Sequence, residues 1–442
     1  MSRKKRVFIG LHEVAGYYRN LRHAIRSAGY ETTLVDLYGH HFDYGGHDNQ
    51  RIFFAETVKR MLEKRRQIPL EKRWQRYWNR VKLNIAQWIL FLGVLFKHDV
   101  FIMGFNSTFF MDDDFSFSKA HAWRYTDLRI MKWLKKRVIC ISNGSDSNPP
   151  YLDGHSLYQK MGALQLIELT RTRRAMIRSM ERYADVMVTY PARAHFYGKR
   201  FVSHPCMGIP YPALPDLPKP LPRENNAIRI LHAPSNPRGK GTPAIRQTIK
   251  ELKTRYDIDY VELQGVPNRV VLEELAKTDL VIDQIYSVSP IAGLAVEAGF
   301  LEKPVVICSR VVEDIKKIYP HDMLPPTCLY HPDDLKDAVE KLIQNPILRQ
   351  DHGREFKIFL EKKYTAEAVG SRYARVIEDD IPAHWLIEPE SQCFTMGWGL
   401  TVAEVGELVR KMVQFGGVSS LGLSDKKDLE SRFHAMAKNT EA

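Results

Sequence analysis

Short apolar runs recur along the chain, and helical spacing of apolar positions follows most of them. In the first half such runs begin at Val7, Thr32, Val100, Arg137 and Val186. Gly, Pro and Asn residues between the runs mark turns. Strands that alternate with helices of about ten residues predict parallel sheets of the α/β class.

A second series of the same kind begins at Ile228 and ends near Cys308. Between the two series, residues 205–222 contain seven prolines and no periodic apolar face, as expected for a linker. The pattern therefore predicts an α/β fold of two doubly wound Rossmann-like domains with a C-terminal extension. The predicted units are residues 1–205, a Pro-rich linker 206–226, residues 227–365, a helix at 366–380, and the extension 381–442.

A helical, basic insertion is predicted at about residues 49–96 of the first domain. Ten Lys or Arg residues lie between Lys59 and Lys82 in a chain of net charge +13, with aromatic residues among them. The segment is either a solvated helix pair or a contact with an anionic membrane leaflet or a polyanionic acceptor. The candidate contact residues are Lys64, Arg65, Arg66, Arg73, Trp74 and Trp78.

The longest apolar run, Trp88–Phe96, is too short to span a membrane and predicts a buried helix end. The apolar run after the basic N-terminus is too short for a signal peptide. Five scattered cysteines, an odd number, favour a reducing compartment. We therefore expect a cytoplasmic protein, with attachment to the inner face of the cell membrane as an option.

The first candidate site is a Gly/Pro-rich loop between the strand that begins at Ile228 and the helix that begins near Pro243. The loop contains Arg238 and Lys240. Ligands of parallel α/β sheets bind beyond the carboxyl ends of the strands. Backbone N–H groups, a helix N-terminus and two cations there would suit a phosphate, although a surface turn with solvated cations explains the loop equally well.

The second candidate site follows the apolar run Leu280–Asp283. A small-residue loop, Ser287–Gly293, leads into a helix, and Glu297 lies about one turn inside it. Interaction with the helix dipole is the ordinary explanation for such a glutamate.

Together the two segments resemble the retaining GT-B glycosyltransferases of the large family-four type. Lys240-Gly241 matches the family's Lys-Gly pair, and Glu297 with the Pro-Val-Val that follows at 304–306 matches the second glutamate of its paired-Glu motif. Ser235 and Ser289 stand where the family usually has Arg and the first glutamate. A bacterial branch of the family commonly lacks that first glutamate.

The first half resembles the same branch, in which a Gly-Ser-Asp turn follows a strand. Here Asn143 precedes Gly144-Ser145-Asp146, where the family often has His, although the sequence is also simply a good turn. The resemblance implies catalytic roles for Asp146 and Asn143, and implies that the helix at 366–380 crosses back to the first domain. The implied donor-binding residues are Ser235, Arg238, Lys240, Gly241, Thr242, Ser289, Gly293, Leu294 and Glu297.

The resemblance implies sugar transfer with retention from a nucleoside-diphosphate sugar to a glycan or lipid-linked acceptor in cell-surface polysaccharide synthesis. It requires no cofactor and no metal. Asp112–Asp114 superficially fits an Asp-x-Asp metal motif, and His40, His41 and His47 could bind a metal by composition, but an exposed loop is the preferred interpretation of both. The alternatives are a GT-B-fold sugar-nucleotide epimerase and a non-catalytic GT-B scaffold or anion-binding protein. No nucleic-acid partner is expected, because no RNA or DNA motif accompanies the basic segment.

Overall fold

The fold consists of two largely parallel β-sheets, each covered on both faces by helices and loops. The computed structural model describes residues 4–14, 16–38, 52–69, 71–104, 107–110, 124–211 and 227–439. Within these ranges the predicted α/β class, with two Rossmann-like domains and a C-terminal extension, is confirmed.

The strands are short and largely buried. In chain order they are β1 (Arg6–Leu11), β2 (Glu31–Asp36), β3 (Val100–Gly104), β4 (Arg137–Ser142), β5 (Val186–Thr189), β6 (Phe201–Ser203), β7 (Ile228–His232), β8 (Ile258–Glu262), β9 (Leu280–Gln284), β10 (Val305–Cys308), β11 (Leu329–Tyr330) and β12 (Leu386–Ile387).

The helices connect these strands and form the C-terminal extension. In chain order they are α1 (Tyr17–Ser27), α2 (Ala55–Gln67), α3 (Arg73–Leu95), α4 (Thr126–Trp133), α5 (Ser156–Gln159), α6 (Ala163–Tyr183), α7 (His204–Met207), α8 (Pro237–Lys240), α9 (Thr242–Leu252), α10 (Asn268–Lys277), α11 (Gly293–Phe300), α12 (Val312–Ile318), α13 (Leu335–Gln344), α14 (Pro346–Lys363), α15 (Ala366–Glu378), α16 (Val402–Gly416) and α17 (Lys427–Asn439).

The first sheet has the strand order β12-β6-β5-β4-β3-β1-β2, and the second has β11-β10-β9-β7-β8. All pairs are parallel except that of β12 with β6. Both orders reverse beside the first strand of the domain, which is where doubly wound sheets bind ligands. In β1, Val7 and Ile9 enter one core cluster and Phe8 enters the other, so both faces of the sheet are buried.

The chain returns to the first domain after the second sheet. Helix α15 packs along α1, and Val369, Tyr373 and Val376 join the core on that face of the first sheet. Gly370 permits this contact, since a Cβ there would lie 1.9 Å from a backbone carbonyl oxygen of α1. The extension that follows packs α16 against α6 and α17.

The structure corrects three local expectations. The loop expected before Pro243 contains the helical turn α8, because the side chain of Asn236 caps it by accepting from the N–H of Gly239 at 3.0 Å. The end of α3 is not fully buried, since Leu92 is 42% and Phe96 69% exposed. Strands β6, β11 and β12 were too short for the apolar pattern to indicate them.

Candidate functional site

A cleft of about 640 Å³ lies between the two domains. Its lining residues follow the carboxyl ends of strands in both sheets: Asn143 follows β4, Tyr190 follows β5, and Ser287 follows β9. The cleft therefore lies where doubly wound sheets bind their ligands. Residues from both predicted sites reach it.

Lys240 brings a positive charge to the second-domain wall of the cleft. Its Nζ lies 2.9 Å from Oδ1 of Asp283, the fourth residue of β9. The Asp283 side chain is fully buried and that of Lys240 is only 12% exposed. A buried carboxylate holds its cation in place because either charge alone would be costly in that environment. The ammonium is thus fixed at the cleft before any ligand arrives.

The N-terminus of α11 opens onto the same wall. Ala292 and Gly293 line the cleft, no side chain caps the helix, and its first turn has no acidic residue. The first N–H groups of a helix have no partner within the helix and carry partial positive charge. With Lys240, they form a wall suited to an anionic group.

Glu297 supplies the one carboxylate among the cleft-lining residues that the structure describes. Asn268 donates from Nδ2 to its Oε1 at 2.9 Å, and Tyr211 also hydrogen-bonds to it. Burial raises the pKa of Glu297 to about 7, although the bonds from Asn268 and Tyr211 oppose the rise. The side chain can therefore accept hydrogen bonds from a diol when ionised and donate one when protonated.

Ser289 also reaches the cleft, where its hydroxyl donates to the carbonyl of Ile291 at 3.2 Å. Ser287 accepts from Gln284 Nε2 at 2.9 Å and donates to the carbonyl of Ser289 at 2.6 Å. These bonds fix the loop that leads into α11. Ser289 therefore contributes to the shape of the wall through the hydrogen bonds of its hydroxyl and its carbonyl.

The structure does not bring Arg238 to the cleft wall. Its guanidinium pairs with Glu404 of the extension and remains 51% exposed. The Asn236 cap starts α8 at Pro237. The Arg238 side chain then reaches Glu404 in the first turn of α16. The sequence does not predict Glu404 as the partner of Arg238, because the two residues are 166 positions apart.

The other residues predicted to bind the sugar donor lie behind or beside this wall of the cleft. Gly241 has φ +77°, and a Cβ there would lie 2.1 Å from Ile285, so the turn between α8 and α9 requires glycine. Thr242 is buried and bonded to Nε2 of His232 at 2.8 Å. Ser235 is exposed outside the cleft, and Leu294 packs against the core below α11.

On the first-domain wall, the structure separates the two predicted catalytic residues. Asn143 lines the cleft, and its carbonyl accepts from Arg193 at 2.7 Å. Asp146 is 2% exposed and is not among the lining residues; its Oδ1 accepts from the N–H of Gly144 at 2.9 Å. Burial raises the pKa of Asp146 to about 6. Through its bond to Gly144, Asp146 shapes the turn that holds Asn143 at the cleft.

Several lining residues have no motif and were missed by the sequence analysis. Tyr190, Arg193 and His204 face the cleft from the ends of β5 and β6, and Tyr17 faces it from the start of α1. The prolines after Tyr190 and His204 were the one signal of turns at these positions. Their convergence depends on the order of strands in the sheet.

The extension adds Trp398 to the cleft lining. Its ring lies over Gly239, where a Cβ would come within 2.2 Å of it, and its carbonyl accepts from the N–H of Gly154 at 2.9 Å. Together with the Arg238 to Glu404 pair, this contact joins helix α8 of the second domain to the extension. The extension is therefore part of the site.

The basic insertion forms the helices α2 and α3, which pack against each other on the first domain. Trp74 and Trp78 are 76% and 58% exposed, and both make edge contacts with Tyr77. Arg65 does not share this surface, because it is 8% exposed and donates to the carbonyl of Arg76 at 3.2 Å. Lys64, Arg66 and Arg73 remain exposed.

Across the described ranges, no group of three or more His, Cys, Asp or Glu side chains could hold a metal ion. The same residues include no helix long and apolar enough to cross a membrane. All five cysteines are free thiols. Asp112–Asp114 and His40, His41 and His47 lie outside the described residues.

Two facing Rossmann-like domains with a cleft between them define the GT-B class of fold. Among solved structures, the chain is similar to sucrose-phosphate synthase from Thermosynechococcus elongatus (TM-score 0.46, 12% identity, 85% of this chain and 99% of that one). It is also similar to HepE from Anabaena in complex with UDP and glucose (0.43, 9%, 85% and 100%). A third is the glycosyltransferase SnogD from Streptomyces nogalater (0.38, 12%, 85% and 100%). At these values the likeness concerns the fold alone. No protein-family model matches the chain, and no curated protein sequence matches it.

Proposed function

We propose that this protein is a glycosyltransferase that moves a sugar from a nucleoside-diphosphate donor, with retention, to a glycan or lipid-linked acceptor in bacterial cell-surface polysaccharide synthesis. The observation that carries the proposal is the convergence of Lys240, the uncapped N-terminus of α11 and Glu297 on one wall of an interdomain cleft. These groups match the parts of a nucleoside diphosphate: a charged diphosphate and a ribose diol.

The proposed reaction replaces one bond at the anomeric carbon. The bond to the β-phosphate oxygen breaks, and its electron pair leaves with the diphosphate. The acceptor hydroxyl oxygen forms the new bond, and its proton passes to the departing phosphate. Negative charge thus develops on the diphosphate, where Lys240 and the N–H groups of α11 stabilise it without a metal or cofactor. Loss of one such donor raises a barrier by about 2–4 kcal/mol.

Glu297 binds the ribose hydroxyls in this proposal, with Asn268 holding its carboxyl group in place. Asn143 faces the donor sugar from the opposite wall, and Asp146 supports Asn143 through the Gly144 turn. Arg238 does not bind the nucleotide-sugar donor while it pairs with Glu404. Closure of the domains would exclude water and limit donor hydrolysis.

The test is incubation with a panel of UDP-, GDP-, ADP- and dTDP-sugars, followed by proton NMR. The proposal predicts slow release of nucleoside diphosphate from one donor, with the freed sugar first appearing in the donor's anomeric configuration. Conversion of the donor to an isomeric nucleotide sugar would instead identify an epimerase. A chain that neither binds nor consumes any donor would be a scaffold, and the proposal would be wrong.

We further propose that α3 places the enzyme on an anionic membrane surface. The helix contains no Asp or Glu. Five exposed apolar residues of α3 and its C-cap fall at helical spacing on one side: Trp74, Trp78, Ile85, Leu92 and Phe96. An apolar stripe flanked by cations is suited to lie in the headgroup region of a bilayer. The stripe spans the helix, which is about 34 Å long at 1.5 Å per residue.

Vesicle sedimentation tests this placement. Binding to phosphatidylglycerol vesicles should exceed binding to phosphatidylcholine vesicles, weaken with salt, and fall in Trp74→Ser with Trp78→Ser. Trp133→Ser is the matched control, because Trp133 is 79% exposed on α4. Equal binding to neutral and anionic vesicles would contradict the proposal.

A further inference from the structure

His204 lies at the start of α7, directly after β6, and lines the first-domain wall of the cleft. It is 1% exposed, so it sits just beneath the cleft surface. Its ring stacks on Tyr190 with 4.3 Å between centroids and packs against Tyr17 at 5.3 Å. These two aromatic contacts fix the orientation of the imidazole.

Neither ring nitrogen of His204 has a hydrogen-bond partner among the described residues. Other buried histidines in the described chain differ in this respect. His98 bonds to the Val94 carbonyl and to Thr33, and His195 bonds to the Phe394 carbonyl and to Gln392. Buried polar groups nearly always have partners, so two unpaired ring nitrogens beside a cleft are candidates for contact with a ligand that enters it.

The ring is neutral and so has one donor and one acceptor nitrogen. Burial and, to a smaller extent, the nearby Arg193 guanidinium together lower the pKa of His204 to about 3. A hydroxyl group both donates and accepts, and it therefore complements a neutral imidazole. A phosphate offers only acceptors at neutral pH and would leave the acceptor nitrogen without a partner.

We infer that His204 binds a substrate hydroxyl group at the first-domain wall, either on the transferred sugar or on the acceptor. The inference rests on the proposed function and assigns a residue that carries no recognisable motif. Because His204 is 1% exposed, contact between its ring and the hydroxyl requires the small local shifts that accompany domain closure. The nucleoside diphosphate, which binds the opposite wall, does not touch His204.

The test compares His204→Phe with His195→Phe, a matched fully buried histidine outside the cleft lining. We expect His204→Phe to keep nucleoside-diphosphate affinity within twofold and to lose roughly 10- to 100-fold in kcat/KM, the effect of one lost hydrogen bond to substrate. His195→Phe should lower the melting temperature by more than His204→Phe does, since only His195 has internal bonds to lose. Hydrolysis of the sugar donor without acceptor shows which molecule carries the hydroxyl that His204 binds. In His204→Phe the hydrolysis rate should fall if the hydroxyl belongs to the transferred sugar, and stay unchanged if it belongs to the acceptor.

His204→Gln and His204→Asn keep the readout available if the Phe variant does not fold. Their amides offer a donor and an acceptor near the positions of Nε2 and Nδ1, so one of them should recover more activity than Phe or Leu at this position. Unchanged kcat/KM in His204→Phe, or equal losses in the Gln, Asn and Leu variants, would overturn the inference. Absence of donor binding in the parent protein would instead refute the proposed function.

Discussion

If Glu297 binds the ribose of a nucleotide as proposed, its raised pKa makes nucleotide affinity depend on pH. The carboxyl group has a pKa of about 7 in the free protein, because it is buried beside the cleft. In the proposed complex the ribose hydroxyls donate to the ionised form, so we expect binding to require deprotonation and to strengthen as pH rises. If the bound form stays ionised, raising the pH from 6 to 8 multiplies the affinity by about ten, or ~1.4 kcal/mol. Isothermal titration with a nucleoside diphosphate across this range measures the change.

Glu297→Gln is the control for this prediction, because the diphosphate titrates in the same range. The ratio of parent to variant affinity removes that contribution and isolates Glu297. The same pKa shift makes the parent's unfolding free energy fall as pH rises from about 5 to about 7, since the folded state binds more protons there. A ratio that stays constant between pH 6 and pH 8 would refute the assignment of Glu297 to the ribose.

Three further predictions concern stability and the extension. Asp283→Ala should lower the free energy of unfolding by roughly 3 kcal/mol in urea titrations, because the substitution leaves the desolvated Lys240 without its partner. A loss below about 1 kcal/mol would show that the Lys240–Asp283 pair contributes little to stability. Gly239→Ala should weaken nucleotide binding by displacing Trp398. Adding Trp398→Ala to the same chain should restore part of the lost affinity, whereas additive losses would contradict the contact between Gly239 and Trp398. Gly370→Ala should lower the melting temperature by several degrees through its clash with α1, and an unchanged value would argue against the close packing of α15.

Much of the fold could be predicted because its signals are local. The strand at Val305–Cys308 is an apolar run that follows Pro304, and α11 begins where Gly293 ends a small-residue loop. Strands buried on both faces need continuous apolar runs, which stand out in a polar sequence. Leu386–Ile387 offered no such run, and it forms a strand through pairing with β6.

The candidate site could be predicted only on the side where the loop follows its strand closely. Lys240 and Glu297 each lie within one strand-to-helix unit, so the sheet brings them together. His204 and Trp398 reach the cleft from segments that are distant in sequence, and their positions depend on the tertiary arrangement. Arg238 looked like a phosphate ligand because nothing in its own segment indicates Glu404 as its partner.

The most direct test of the central claim is nucleoside-diphosphate binding to the parent and to Lys240→Met, measured by isothermal titration. Lys336→Met is the control, since Lys336 is a surface lysine paired with Glu251 in the same domain. We predict one binding site per chain for at least one nucleoside diphosphate, unchanged in the control and undetectable or at least tenfold weaker in Lys240→Met. Binding of equal strength in Lys240→Met and the parent would contradict the assignment of the cleft wall to the diphosphate.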